Sequence, residues 1–164
     1  VIQCRIDLVQ QAEGRGTHLQ DGEIQRNGHK GLFTAGQRLY LEHGLIGIRG
    51  EVAAGLPSVK KISLPAYQNG LRAGLSANIS GVIALLYLIA EVKDTNLYHR
   101  GGAEGAKFAT DAARALLREN KFPRLEQVEA LDDAFIARNL SPGGCADLLA
   151  VTYFVSSLAV NDLS

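Results

Sequence analysis

The chain has 164 residues and a mass of 17.6 kDa, enough for one domain with a core of its own. Its 17 basic and 17 acidic residues cancel, which leaves no overall field to attract nucleic acid or a membrane surface. Cys4 and Cys145 are too few for a disulfide framework and have no histidine or cysteine at zinc-finger spacing, so a reducing, cytoplasmic compartment is expected.

The opening VIQCRIDLVQ lacks the basic start and long apolar run of a signal peptide. Residues 2–11 suit a short amphipathic helix, and 12–31, polar and dotted with glycine, suit a connection; 1–31 is therefore separated from a helical domain over 32–164. There is no methionine, so Val1 is not an initiator residue, and a processed product or a piece of a longer chain is expected. From Leu32 the spacing predicts a helix ending on Gly44 as C-cap. Val59–Ala73 carries Ile62, Leu64, Tyr67 and Leu71 at helical spacing, with Pro65 either kinking the helix or starting a second piece.

Asn78–Val92 is apolar on nearly every side, as a helix packed all round would be. Its longest apolar run, Val82–Ala90, is far shorter than the ~18 residues of a membrane span. Ala103–Glu119 and Arg124–Asn139 are amphipathic, the second with Leu125, Val128, Leu131, Phe135 and Ile136 on one face. Ser141 is placed to cap and Pro142 to open a last helix, Cys145–Val160. No alternating β-branched run competes. The expected fold is all-α, about six or seven helices around a central apolar one.

Three joints are unlike plain helix connections. In IRGEVAAGLPS (48–58), Arg49 and Glu51 flank a glycine; a helix start with a solvated ion pair explains that much alone. In EVKDTNLYHRGG (91–102), the central helix runs into Asp94, Thr95, Asn96, His99, Arg100 and a glycine pair. Asp-Thr-Asn has the oxygen ligands Mg²⁺ accepts, Arg100 a fork for phosphate, and the glycines allow backbone amides close to a ligand; a capped helix end with surface polar groups is an equal reading. In NLSPGGCADLLAV (139–151), Asp147 stands among apolar neighbours. A capping carboxylate is the common explanation, but the flanking residues predict that this turn faces the core, where an acid needs a partner.

Taken in order, GIRGE (47–51), GLPS (55–58), DTNLYHRGG (94–102) and NLSPGGCADLL (139–149) resemble the triphosphoribosyl-dephospho-coenzyme A synthase family over roughly Gly36–Leu158. These enzymes make the prosthetic-group precursor of citrate lyase and malonate decarboxylase acyl carriers. Cys145 stands where the family has serine, and the family is longer on its N-terminal side, so the chain resembles its C-terminal part.

The resemblance implies transfer of triphosphoribose from ATP to 3′-dephospho-coenzyme A with release of adenine. It also implies Mg²⁺ with the nucleotide, while the balanced charge and short apolar runs lead us to expect no nucleic-acid or membrane partner. On residue chemistry, Arg49, Arg100 and Lys60 are assigned to phosphate and Asp94 and Asn96 to the metal. Glu51, Asp147 and Asp94 become the catalytic candidates, to activate the acceptor hydroxyl or stabilise a cationic sugar. Ser58, His99 and Ser141 join Gly101, Gly102, Gly143 and Gly144, as backbone amides, in the substrate-binding set. Two other readings are a non-catalytic helical module that binds a nucleotide or a partner, and a nucleotide glycohydrolase using water as acceptor. Homo-oligomerisation is left open.

Overall fold

The computed structural model of the chain describes residues 40, 41 and 44–161. The expected helix over 2–11, the connection over 12–31 and most of the helix from Leu32 lie outside the described residues. Where that helix ends, the expectation holds. Tyr40 and Leu41 are helical, and Gly44, at φ 65°, donates its N–H to the Tyr40 carbonyl as a left-handed C-terminal glycine does.

Six α-helices follow: α1 (Gly47–Ala53), α2 (Leu64–Arg72), α3 (Ala77–Glu91), α4 (Thr95–Glu119), α5 (Leu125–Ala137) and α6 (Gly143–Asn161). There is no strand among the described residues. A π-helical turn, Val59–Ser63, leads into α2, and Pro65 explains it. Proline has no N–H to donate back and its ring crowds the carbonyl four residues earlier. A wider turn, closed by Leu64 N–H on the Val59 carbonyl, lets the chain stay helical through that position.

Helix α3 is the hub, packing on α2, α4, α6 and the π turn. Eight of its residues are buried, among them Ile83, Leu86, Leu88 and Ile89, which is why its sequence has no polar face. Gly70 of α2 makes a close approach possible, since a methyl there would lie 2.6 Å from Ser80 Oγ on α3. Beneath the hub a buried polar pair joins the π turn to α6. Thr152 Oγ1 donates its only proton to the Leu148 carbonyl, so the Ser63 hydroxyl, 2.5 Å away, is the donor of the pair.

Two helices differ from the sequence expectation. Asp94 does not stop α3, which ends at Glu91 with Val92 as C-cap; it opens α4 at Thr95, eight residues before the expected start, and the two runs meet at Gly102, whose φ of 63° breaks the helix. Ile136 is 66% exposed, and Leu140, just past α5, fills the core instead.

Candidate functional site

The four sequence segments meet at the turn between α3 and α4. Gly47 enters α1 at φ 56° and packs on Thr95, whose Cγ2 would lie 3.1 Å from a Cβ at that glycine. Asn96 covers Gly143 so closely that a methyl there would meet its Nδ2 at 2.0 Å. Leu140 sits over Gly101 and Gly105 in the same way, at 2.3 Å and 2.8 Å. These glycines are therefore contact surfaces between segments. Beside Gly101 and Gly143 the space is filled by Leu140 and Asn96, and neither glycine lines the cavity described below.

Asp94 is the centre of the junction and only 3% exposed. As N-cap of α4, its Oδ1 accepts from the N–H groups of Asn96 (2.7 Å) and Leu97 (3.4 Å). Its Oδ2 accepts from Cys145 N–H at 2.8 Å, in the first turn of α6. Helix α6 cannot cap itself, because Pro142 stands before its first residue and offers no side-chain acceptor. One carboxylate thus terminates two helices, and a methyl on Gly144 would lie 3.3 Å from it. Burial pushes the Cys145 thiol far above its ordinary range, and the adjacent Asp94 charge adds to that.

Asp94 was expected to bind metal with Asn96. Its oxygens instead serve amides, Asn96 is exposed, and among the described residues no three or more His, Cys, Asp or Glu side chains stand close enough together to hold a metal ion. The described residues do not fit a resident metal.

Asp147 is the clearest correction. It is exposed, while Cys145, Leu148 and Thr152 are the buried positions of α6. At 3.6 residues per turn those three share a face, and Asp147 lies roughly 200° round from Cys145. The buried acid of this region is Asp94, and Asp147 is absent from the cavity described next.

That cavity, about 260 Å³, lies between α1, the Pro57–Ser58 turn, the α3–α4 turn and the start of α6. Of the sequence-derived candidates it gathers Glu51, Ser58, Asp94 and Gly144. Glu51 is held at both oxygens, Oε1 by Ser58 Oγ at 2.6 Å and Oε2 by Ser58 N–H at 3.0 Å. The turn after Gly55, with Gly55 at φ 76° and Leu56 at φ 59°, brings Ser58 back over α1 to do this. Ser58 is thus a holder of Glu51.

Arg49, Lys60, Asn96, His99 and Arg100 are exposed, and none of them lines the cavity. Arg100 Nη1 donates to Asn139 Oδ1 at 3.4 Å. Gly102, Ser141 and Gly143 also lie outside it. Sequence reading missed Leu45, Ile48 and Leu148 as walls, and Glu91 and Lys93 at the rim. Of these, Glu91 and Lys93 were within reach, since they flank Asp94 in a segment already singled out. Among the described residues no helix is long and apolar enough to cross a membrane.

Comparison with known proteins gives a consistent result. Residues 4–163 match the model of the CitG family, ATP:dephospho-CoA triphosphoribosyl transferase. A 2-(5″-triphosphoribosyl)-3′-dephosphocoenzyme-A synthase of Pectobacterium atrosepticum is 46% identical over 125 residues, 76% of this chain and 41% of that protein. A probable enzyme of the same name from Citrobacter koseri is 44% identical over 149 residues, 88% of this chain and 49% of its own length. One from Streptococcus mutans is 36% identical over 143 residues, 86% of this chain and 48% of its own. The chain spans less than half the length of these relatives. No solved structure gives a significant match.

Proposed function

This chain belongs to the ATP:dephospho-CoA triphosphoribosyl transferase family, and from that premise we propose that it carries the C-terminal part of a transferase active site. The reaction moves the triphosphoribosyl group of ATP onto 3′-dephospho-coenzyme A and releases adenine. Its product is the prosthetic-group precursor of a citrate lyase or malonate decarboxylase acyl carrier, made in the cytoplasm. The observation that carries this reading is Glu51, a carboxylate fixed at both oxygens by Ser58 on the wall of the cavity where the family-like segments meet.

The chemistry asks for such a group. The bond between adenine and C1′ breaks as the acceptor hydroxyl attacks, and positive charge grows on the sugar. A positioned carboxylate takes the hydroxyl proton and stabilises the developing cation. Ser58 holds Glu51 in one orientation, so little reorganisation is needed as that charge appears. Asp94 and the glycines keep the α3–α4 turn and the start of α6 in register beneath it. Arg49 and Arg100 supply cations outside the cavity for the triphosphate, and Mg²⁺ arrives with ATP as its counter-ion.

The test is adenine release from Mg²⁺–ATP, followed by chromatography, with and without 3′-dephospho-coenzyme A. Release that requires the acceptor is expected from this chain or from a longer one that completes the site, and Glu51→Gln lowers it by about 10²–10⁴-fold. Release that proceeds equally without the acceptor points to hydrolysis and overturns the transferase reading.

A further inference from the structure

Away from the cavity, one face of α6 is left uncovered. Asp147, Ala150, Phe154 and Leu158 are all exposed, Phe154 at 63% and Leu158 at 49%. At 3.6 residues per turn these four positions fall within about 80° of arc. Cys145, Leu148 and Thr152 hold the far side of the helix in the core. Apolar residues scattered singly on a surface need no explanation, but a line of them along one helix face marks a contact surface.

Asp147, at the head of this line, has no hydrogen-bond or ion-pair partner among the described residues. None of the four residues lines the cavity. Ile46, also exposed, does line it, so its exposure belongs to the site already described.

Length indicates what covers the α6 face. The match takes in 41% of the Pectobacterium atrosepticum protein and 49% of the Citrobacter koseri one, so more than half of each relative lies outside it. A second part of that size packs on the first through apolar surface. A second copy of this chain fits less well. Two large apolar side chains per copy are few against the roughly 800 Å² per partner that a stable dimer buries, whereas a part of the same chain is held at high effective concentration and needs less.

We propose that this face of α6 is the seam against the part of the family protein that lies outside the match, and that the opposing surface is apolar with a Lys or Arg set against Asp147. The proposal rests on the reading of this chain as the C-terminal part of the enzyme.

The test compares this chain with a longer one, in which the unmatched part of the Pectobacterium protein is joined ahead of it. Phe154→Cys and Leu158→Cys report cover, and Ile136→Cys, at an exposed position of α5, is the reference. In this chain iodoacetamide, followed by peptide mapping, should label all three positions at similar rates. In the longer chain the two α6 positions should label at least about tenfold more slowly, with Ile136→Cys unchanged. Phe154→Glu and Asp147→Lys should each lower the urea midpoint of the longer chain by more than that of this one. Should the joined chain fail to fold, co-expression of the two parts gives the same comparison.

Absence of cover at the α6 positions in both formats overturns the proposal, and so do midpoints that fall equally in the two chains. Cover of Phe154→Cys that develops in this chain alone as its concentration rises, with dimers in sedimentation, also overturns it, the occupant then being a second copy. None of these readouts needs turnover. Cover of α6 without adenine release would count against the transferase reading alone, and acceptor-dependent release from a longer chain whose α6 face still labels freely would count against this proposal alone.

Discussion

Removing the Asp94 carboxylate should loosen two helix starts at once, and the two oxygens allow the effect to be divided. Asp94→Ala deletes three N–H···O contacts, two at the head of α4 and one at the head of α6. A lost N-cap costs about 0.5–2 kcal/mol, and a hydrogen bond to a charged group contributes about 1.5–3 kcal/mol. With the 3.4 Å contact to Leu97 the weakest of the three, the expected loss is about 3–5 kcal/mol. That is a large part of the roughly 5–15 kcal/mol that holds a domain folded.

Asp94→Asn should fall between wild type and alanine. Asparagine caps as well as aspartate, so its oxygen can keep Asn96 and Leu97. Its NH₂ then faces the Cys145 N–H, donor against donor, at a cost of about 1–3 kcal/mol. Urea unfolding followed by circular dichroism gives the order, provided the slope with denaturant stays constant. Hydrogen exchange supplies the residue-level check: in Asp94→Asn the Cys145 amide should lose protection while the Asn96 amide keeps it. If alanine costs less than about 0.5 kcal/mol, or if asparagine and alanine cost the same with Cys145 still protected, Asp94 does not bridge the two helices.

Gly101→Ala should destabilise by about 1–3 kcal/mol, because its methyl would meet Leu140 Cδ2 at 2.3 Å. In a Leu140→Ala background that penalty should vanish, and simple additivity of the two urea midpoints would show that they do not touch. The Cys145 thiol, fully buried and kept protonated by its surroundings, should resist iodoacetamide in the native chain and react only in denaturant. Peptide mapping that finds Cys145 alkylated under native conditions would contradict the burial.

The fold was legible wherever burial leaves a one-dimensional trace. Helix α3 reads as central because a helix packed on several neighbours has no position to give to polar residues. The end at Gly44 reads because a left-handed C-terminal position asks for glycine. Phase in α6 was not legible. Its sequence is apolar on most sides, so Leu148 and Leu149 beside Asp147 say nothing about which way the acid points, and it points outward. The role of Asp94 was hidden for another reason. Its partner amide belongs to Cys145, 51 residues away, and no local pattern encodes a cap supplied from a distant turn. The glycine pairs are ambiguous in the same way, since a glycine that admits a ligand and one that admits Asn96 or Leu140 look alike in sequence.

Several polar groups in the family-like segments that meet at the α3–α4 turn can be explained without any ligand. Asp94 is consumed by three amides, Asn96 lies on Gly143, and Arg100 reaches Asn139. Removing a ligand from such a junction would leave every one of those contacts intact. Glu51 is different. It faces a cavity, it has no cationic partner among the described residues, and its two hydrogen bonds both come from Ser58. A packing role would be served as well by a neutral side chain of that length, which would avoid desolvating a charge. Two bonds from one serine fix the direction of the carboxylate and still leave it able to accept. An acid that is oriented but not neutralised is the arrangement a developing positive charge requires, and it is the reason for proposing Glu51 for the chemistry and Asp94 for the architecture.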